Sequence, residues 1–406
     1  MIGPILSARS ILVAIFMFMG GSGFVASLVS LRLESGGSRA STIGLIATAY
    51  FAGLTIGSLR ALPIIRRVGH IRTFVAAVSL LSASTLSYAL YQHTALWAAL
   101  RFLDGLCVAG VFVCLESWLN TRAESVTRGA ILAAYMIALY AGQAAGQFLL
   151  NLNAHPSVPF IVSSLLISLS VLPIALTRLE SPAIMGHSAM TARELHAASP
   201  LGIVGVGVTG LILGAFYALG AVYAQRLGVP LSSTAFFMSV VIAGGVALQW
   251  PIGWLSDRID RRRVIVGTFA GAAAVSGGLA MITTSGPGLM LMGAAFGGLA
   301  FALYPLCVAH TNDHLTPDQR VGASGGLVLV YSIGAAAGPI GSAGAMMLLG
   351  PGGLFVFVGF CAAAAFAFGI WRQIRRAPIP EDLQQPYQAL PRTTAVAAAL
   401  DPHSAG

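Results

Sequence analysis

Three ionisable residues interrupt a long apolar run, LRFLDGLCVAGVFVCLESWLN, between positions 100 and 120. They are Arg101, Asp104 and Glu116. The run is long enough to cross a lipid bilayer, where an unpaired charge costs on the order of 3 kcal/mol. Ionisable residues at membrane depth therefore indicate a functional site. A carboxyl beside a guanidinium can bind and release a proton or recognise a polar solute.

The spacing of these residues suggests how they work. A helix turns about 100° and rises about 1.5 Å per residue, so Arg101 and Asp104 lie one turn apart and can form an ion pair. Burial disfavours a charged carboxyl and a guanidinium favours it, so Asp104 can change its protonation with conformation. A purely structural ion pair is the alternative. Glu116 lies about 18 Å farther along the helix, where it either joins a gate with Arg128 or Arg320 or binds a proton.

Other polar and aromatic residues fall within apolar segments. The further candidates for proton or solute binding are Tyr50, Gln143, Gln147, Gln249, Trp250, Tyr304 and His310. Gln143 and Gln147 are four residues apart and share one face of a helix. His310 titrates near neutral pH and could report protons, although a hydrogen-bonded residue at a helix end is the alternative. We expect Tyr135 and Tyr140 to serve in packing or at the interface.

The composition indicates a polytopic membrane protein. Of the 406 residues, 57% are hydrophobic and only 9% are charged, whereas a soluble domain carries about 25% charge. The net charge of +9 comes from arginines in short loops, with no lysine, which indicates membrane topology and not nucleic-acid binding. The four cysteines lie in apolar segments without CxxC spacing, so we expect neither a metal site nor a disulfide.

Apolar stretches of about 20 residues predict an all-α fold with twelve transmembrane helices. The predicted spans are 10–31, 42–64, 72–92, 95–118, 128–150, 157–177, 201–224, 232–255, 264–284, 287–310, 322–349 and 352–371. Only Arg32, Arg39 and Arg226 lie in the loops on one side, which we call the Arg-poor face; the opposite side is the Arg-rich face. The positive-inside rule predicts that the Arg-rich face and both termini are cytoplasmic.

The spans divide into two related halves. We predict an N-terminal six-helix half over 1–177, a cytoplasmic linker over 178–200, a C-terminal half over 201–372 and a disordered tail over 373–406. With a shift of 192, Asn120 falls on Asn312 and Arg128 on Arg320, and a shift of 191 lays residues 66–72 over 257–263. Such parallel six-helix repeats are a recognised plan for carriers.

The segment GWLSDRIDRRR, residues 253–263, resembles the G-x-L-x-D-R-x-G-R-R signature of the major facilitator superfamily. The matching positions are Gly253, Leu255, Asp257, Arg258, Arg261 and Arg262. The resemblance implies a latch that closes the cytoplasmic side, and it extends over roughly residues 10–372. In the first half the equivalent loop includes Gly69 and Arg72, but Arg66 stands where the signature has Asp. The alternative is that these arginines only determine topology.

Two other segments carry the same resemblance. LRFLDG resembles the R-x-x-q-G element of proton-coupled members, which implies that Arg101 modulates a protonatable site at Asp104. GAAAGPIG, with Gly338 and Pro339, resembles the G-x-x-x-G-P-x-x-G element of antiporters, although close helix packing explains it as well. ESWLN (116–120) and YPLCVAHTND (304–313) resemble the YcaD-type bacterial subgroup.

The sequence therefore predicts a secondary transporter and no enzyme. It lacks a phosphate-binding loop, HExxH, GxSxG and a Cys/His cluster, so we expect no cofactor, no metal and no use of ATP. We expect a monomer in the bacterial inner membrane that works with protons and a small-molecule substrate. Proton-coupled efflux of a drug-like or metabolic compound is the preferred function. Uptake of a small organic anion or sugar is the alternative, and a non-transporting receptor on a carrier fold is a third.

Overall fold

The structure is a computed structural model that describes residues 2–124, 126–152, 154–178, 182, 189–375 and 384–401. Its regular structure over these residues is helical. The helices are α1 Ile2–Ser22, α2 Val25–Ser35, α3 Ala40–Val68, α4 His70–Leu90, α5 Thr94–Arg122, α6 Arg128–Gln147, α7 Val158–Leu169, α8 Val171–Ala175, α9 Ala192–Ala198, α10 Pro200–Arg226, α11 Leu231–Ser256, α12 Arg261–Met281, α13 Pro287–Asn312, α14 Pro317–Leu349 and α15 Gly353–Arg375. Two short 3₁₀ helices, Phe148–Asn151 and Ala395–Leu400, complete the described elements.

Twelve helical segments in the described part of the chain are long and apolar enough to cross a membrane. Each of their boundaries lies within four residues of the predicted one, so the twelve-helix, all-α prediction is confirmed. The first span is built from α1 and α2, which are separated at Gly23 and Phe24, and the sixth is built from α7 and α8. The helix break at Gly23 matters for the site, because it faces the central cavity.

The two halves use the same helix pairings. The first and fifth spans of each half pack together, as α1 with α6 and α10 with α14, and the second and fourth do so as α3 with α5 and α11 with α13. Gly53 and Gly105 leave no room for a Cβ where α3 crosses α5, and Gly244 and Gly297 do the same where α11 crosses α13. These glycines are related by the sequence shifts that relate the halves, so the repeat has a packing basis.

The halves contact each other near the Arg-poor face, where α2 packs on α10, α3 on α14 and α6 on α11. Hydroxyl groups of one half donate to main-chain carbonyls of the other: Ser30 to Ala218 (2.7 Å), Thr48 to Ala336 (2.8 Å) and Ser239 to Ala144 (2.8 Å). Arg226 also forms two hydrogen bonds to the carboxylate of Glu34, at 2.8 and 2.9 Å. The molecule is therefore closed on the Arg-poor side.

The C-terminal segment differs from the prediction of a disordered tail. Residues 384–401, which we call the tail segment, lie between the two halves on the Arg-rich side, and Ala395–Leu400 packs against α5, α6 and α14. The composition alone suggested disorder because the segment is polar and rich in proline. Its order comes from bonds to residues far away in the sequence, among them Asn120, whose amide donates to the Val396 carbonyl at 2.8 Å.

Candidate functional site

A cavity lined by residues of both halves lies at the centre of the molecule. Its wall is built mainly from α1 to α7 of the first half, while Tyr217, Ala218 and Tyr331 come from the second half. Residues 391–393 of the tail segment form part of the same wall. Most lining side chains are aliphatic or aromatic, and Arg101, Asp104 and Arg392 are the charged residues among them.

Arg101 and Asp104 form the expected ion pair at this wall. The distance from Arg101 Nη1 to Asp104 Oδ2 is 3.5 Å, and the residues are 5% and 2% exposed. Two hydroxyl groups of α4 complete the surroundings of the carboxylate: Ser84 donates to Oδ1 at 2.5 Å and Tyr88 donates to Oδ2 at 2.7 Å. A buried carboxylate needs such donors, because burying it without partners costs several kcal/mol.

The guanidinium of Arg101 has a second partner in Tyr50. Its central carbon lies 4.2 Å from the centroid of the Tyr50 ring, which is a cation–π contact. The contact follows from the close crossing of α3 and α5, since Gly105 packs directly against the Tyr50 carbonyl. Arg101 is thus held between a ring on α3 and a carboxylate on its own helix.

Glu116 lies farther along α5 and is completely buried. Tyr135 donates a hydrogen bond to its Oε1 at 2.6 Å, and the hydroxyl groups of Thr393 and Thr394 donate to Oε1 and Oε2. The predicted gate partners, Arg128 and Arg320, are not among these contacts. Glu116 therefore contacts the tail segment in this conformation.

The remaining binding candidates separate into two groups. Gln143 lines the cavity, together with Tyr140, which we expected in packing or at the interface. Gln147 instead donates to the Gly23 carbonyl at 3.3 Å, and Gln249 donates to the Phe301 carbonyl at 3.3 Å, so both hold helices together.

Two further candidates lie outside the cavity wall. Tyr304 is 3% exposed, and its ring packs against Tyr331 at 5.4 Å. The prediction for Trp250 needs correction, because its side chain is 74% exposed and does not line the cavity. Trp250 follows Gln249 by one residue, and a turn of about 100° carries it from the buried to the exposed face of α11.

His310 lies apart from the central cavity, in a smaller pocket on the Arg-rich side. It is 5% exposed, and its ring centroid is 4.8 Å from that of His314. Asp260, Arg261 and Asp313 line the same pocket. The structure therefore brings His310 together with the signature segment and not with Asp104.

The signature segment forms a buried charge network. Arg261 is 1% exposed and donates to both oxygens of Asp313, at 2.6 and 2.8 Å, and to Asp257 at 2.9 Å. The tail segment joins this network, since the backbone N–H of Gln385 donates to Asp313 and that of Tyr387 donates to Asp257, each at 2.8 Å. Burial raises the pKa of the Asp313 carboxyl, and the positive charge of Arg261 opposes that rise.

The other residues of the signature have separate partners. Arg258 stacks over the Trp254 ring at 3.7 Å, and Arg262 pairs with Asp260 at 2.7 Å. Burial raises the pKa of Asp260, but its hydrogen bonds with Arg262 outweigh burial and leave the pKa lowered. Gly253 packs against the Tyr387 ring with no room for a Cβ.

The remaining latch candidates have structural settings. Gly69 joins α3 to α4 with φ of 89°, a left-handed conformation that favours glycine, and Arg72 is exposed. Gly338 packs against the Leu211 carbonyl of α10, and the Pro339 carbonyl faces Gly44 of the other half. Gly338 and Pro339 thus lie where α14 contacts both α10 and α3.

Sequence reasoning missed several residues of the site. Ser84 and Tyr88 bond Asp104, and Tyr217, Tyr331 and Arg392 line the cavity. Polarity of α4 near its end could have pointed to the first two. Nothing local in the sequence indicated that a tail arginine lies among the rings. In the described part of the chain, no group of three or more His, Cys, Asp or Glu side chains is placed to hold a metal ion.

Twelve apolar helices in two repeated halves around a central cavity define a polytopic membrane carrier. The model of the Major Facilitator Superfamily matches residues 11–290 and, again, residues 207–400. The chain belongs to this superfamily and is a transporter of some solute. The expected family is therefore confirmed.

Relatives and solved structures agree with this assignment. The chain is 31% identical over 327 residues to the uncharacterized MFS-type transporter YcaD of Escherichia fergusonii, covering 78% of this chain and 82% of the relative. It is 30% identical over 340 residues to YcaD of Escherichia coli strain SE11, covering 82% and 87%. Its resemblance to the YcaD-type subgroup is thus also confirmed.

Solved structures share the fold at low identity. A variant of the nucleoside transporter NupG superposes with a TM-score of 0.77 at 12% identity, covering 90% of this chain and 99% of that one. An inward-facing bacterial homologue of the human lysosomal transporter Spinster gives 0.68 at 12% identity, covering 91% and 95%. A variant of the Escherichia coli fucose:proton symporter FucP gives 0.58 at 14% identity, covering 91% and 99%.

Proposed function

We propose that this carrier couples proton movement to the transport of a small organic solute, and that Asp104 binds the proton. The observation that supports the proposal is the position of the Arg101–Asp104 pair, which is nearly inaccessible yet lines the central cavity. A charged group is rarely kept at membrane depth without a functional role.

The contacts of the pair suggest how protonation acts. While Asp104 is charged, it attracts Arg101 and accepts hydrogen bonds from Ser84 and Tyr88. When Asp104 binds a proton, the attraction for Arg101 is lost, but the Tyr50 ring still holds the guanidinium. A proton can therefore change the electrostatics of the cavity wall without a large movement of side chains.

Alternating access supplies the rest of the proposed mechanism. The contacts between the halves near the Arg-poor face must open, and the Arg-rich side must close, for a solute to cross. We assign closure of the Arg-rich side to a latch that includes Asp257 and Arg261. In this proposal the protein is a monomer in the bacterial inner membrane, and the Arg-rich face and both termini are cytoplasmic.

Efflux of a drug-like or metabolic compound is the transport direction and substrate class that we favour. The cavity wall is mostly apolar and aromatic, which suits a compound with few charges. Uptake of a small organic anion is the second candidate, because Arg101 lines the cavity and a guanidinium binds carboxylates well. Asp104 already pairs with Arg101, which weakens this second candidate.

The test uses Asp104→Asn in proteoliposomes, with a solute chosen by a thermal-shift screen of the purified carrier. We expect the variant to lose proton-driven accumulation and to retain exchange of solute down its own gradient. Glu124→Gln is the matched control, because Glu124 is an exposed carboxyl beyond the end of the same helix. If Asp104→Asn still concentrates the solute against its gradient, Asp104 is not the coupling residue.

A further inference from the structure

The guanidinium of Arg392 lies among four aromatic rings at the centre of the molecule. Its central carbon is 4.4 Å from the ring centroid of Phe301, 5.8 Å from that of Tyr217, and 6.0 Å from those of Tyr140 and Tyr331. The rings come from four helices, α6, α10, α13 and α14, and so from both halves. We call this group the aromatic cage.

The cage holds a positive charge without a carboxylate. In the described part of the chain, Arg392 forms no ion pair, and its Nη2 donates a hydrogen bond to the hydroxyl of Tyr217 at 3.0 Å. Aromatic faces attract cations through their negative electrostatic potential, and grouped rings recognise ammonium and guanidinium groups. The chemistry of the cage therefore selects for a cation.

The rest of the cavity supports the same selection. Without Arg392, the charged residues of the wall are Arg101 and Asp104, which already form a pair. No unpaired cation would then remain at the wall to attract an anion. If the tail segment moved away, Glu116 would lose its hydrogen bonds with Thr393 and Thr394. Its carboxyl would then add an acidic group on the Arg-rich side of the cavity.

The tail segment is held in place by both halves, so Arg392 is a tethered occupant. Its neighbours Thr393 and Thr394 bond to Glu116 of the first half, and the backbone of Tyr387 bonds to Asp257 of the second. A tethered group competes with free molecules as though it were present at about millimolar concentration. A free cation must therefore displace Arg392 before it can enter the cage.

We propose that the aromatic cage is the binding site for an organic monocation with a guanidinium or amidinium head, and that Arg392 occupies it as an internal competitor. This inference rests on the proposed function, because it names the substrate class of the same cavity. It also disfavours the organic anion as a substrate.

The test measures binding of N-acetylarginine amide to the purified full chain by isothermal titration calorimetry. We expect Arg392→Ala to bind this probe about tenfold more tightly than the unmodified protein, because the tethered competitor is gone. The N-acetylcitrulline amide has the same shape without the charge, and we expect it to bind neither protein. Arg375→Ala, which removes an arginine from the end of α15, should bind like the unmodified protein.

Changes to the cage in the Arg392→Ala background identify the site. Phe301→Ala should abolish measurable binding, and Tyr217→Phe, which keeps the ring and removes the hydroxyl, should weaken it about fivefold. The Tyr217→Phe variant is conservative and keeps the test valid if Phe301→Ala fails to fold.

Three results would overturn the inference. The arginine probe would bind equally well with and without Arg392, the citrulline compound would bind as well as the arginine probe, or neither Phe301→Ala nor Tyr217→Phe would change the affinity. These results concern binding alone and are independent of proton coupling. If the probe binds as expected but Asp104→Asn still accumulates solute, the proposed coupling fails and the cage remains. If Asp104→Asn behaves as expected but the probe does not bind, only the cage assignment fails.

Discussion

Removal of Arg261 should destabilise the fold far more than removal of an ordinary surface arginine. The side chain is 1% exposed, and so is its partner Asp313, which receives two of its hydrogen bonds. Arg261→Ala leaves a buried carboxylate without its countercharge, which costs about 3 to 5 kcal/mol. Asp257 is 36% exposed, so the loss of its contact with Arg261 adds at most about 1 kcal/mol.

The pH dependence of this loss has a definite sign. Burial raises the pKa of Asp313 and Arg261 opposes that rise, so the pKa rises further in Arg261→Ala. A carboxyl whose pKa is higher in the folded than in the unfolded state stabilises the fold when it binds a proton. The destabilisation by Arg261→Ala should therefore shrink as the pH falls from about 8 to about 5.

Reversible unfolding in mixed micelles with increasing dodecyl sulfate measures these free energies. Arg226→Ala is the control, since its pair with Glu34 is partly exposed and should be worth about 1 kcal/mol. The double change Arg261→Ala with Asp313→Ala should recover part of the loss, because no buried charge is then left alone. A loss no larger than that of Arg226→Ala, or one that grows as the pH falls, would show that Arg261 does not stabilise a buried charge on Asp313.

Two other predictions concern the helix crossing and the latch. Gly105→Ala should lower the free energy of unfolding by about 2 kcal/mol, because the added Cβ collides with the main chain of α3. Gly267→Ala is the control and should be neutral or slightly stabilising, since no neighbouring atom lies within 4 Å of its added Cβ. Equal effects of the two changes would contradict the collision at the helix crossing. Asp257→Ala removes a bond to the tail segment, so a cysteine placed at Leu139 in the cavity should react faster with a maleimide. Unchanged labelling would count against a role for Asp257 in holding the tail segment in place on the Arg-rich side.

The sequence predicted features that depend on neighbouring residues. Span positions follow from the length of apolar runs, and the Arg101–Asp104 pair follows from helical spacing, because both are local properties. The position of a residue along a helix does not specify whether its side chain faces the cavity or the outside. For that reason the prediction that Trp250 is a binding residue was wrong. The repeat was visible in sequence through matches such as Asn120 with Asn312. The structure adds that Gly53 and Gly244 serve the same crossing in each half.

Features that depend on tertiary contacts were not predictable. Tyr88 reaches Asp104 only because α4 packs on α5, and the cage requires four helices from both halves. The tail segment has a composition typical of disorder, yet it is ordered by Glu116, Asp257 and Asp313, which lie far from it in the sequence. No local sequence pattern encodes these partners, since each hydrogen bond joins residues that are more than 70 positions apart in the sequence.

The Arg226–Glu34 bridge makes the carrier responsive to its surroundings on one side only. The pair joins the halves at the Arg-poor face and is 25% and 18% exposed, so dissolved ions can screen it. Salt added to the compartment that this face meets would loosen the seal, whereas the same salt in the other compartment would leave the bridge untouched. An ionic-strength gradient across the bilayer thereby becomes a means of biasing the resting conformation without any ligand.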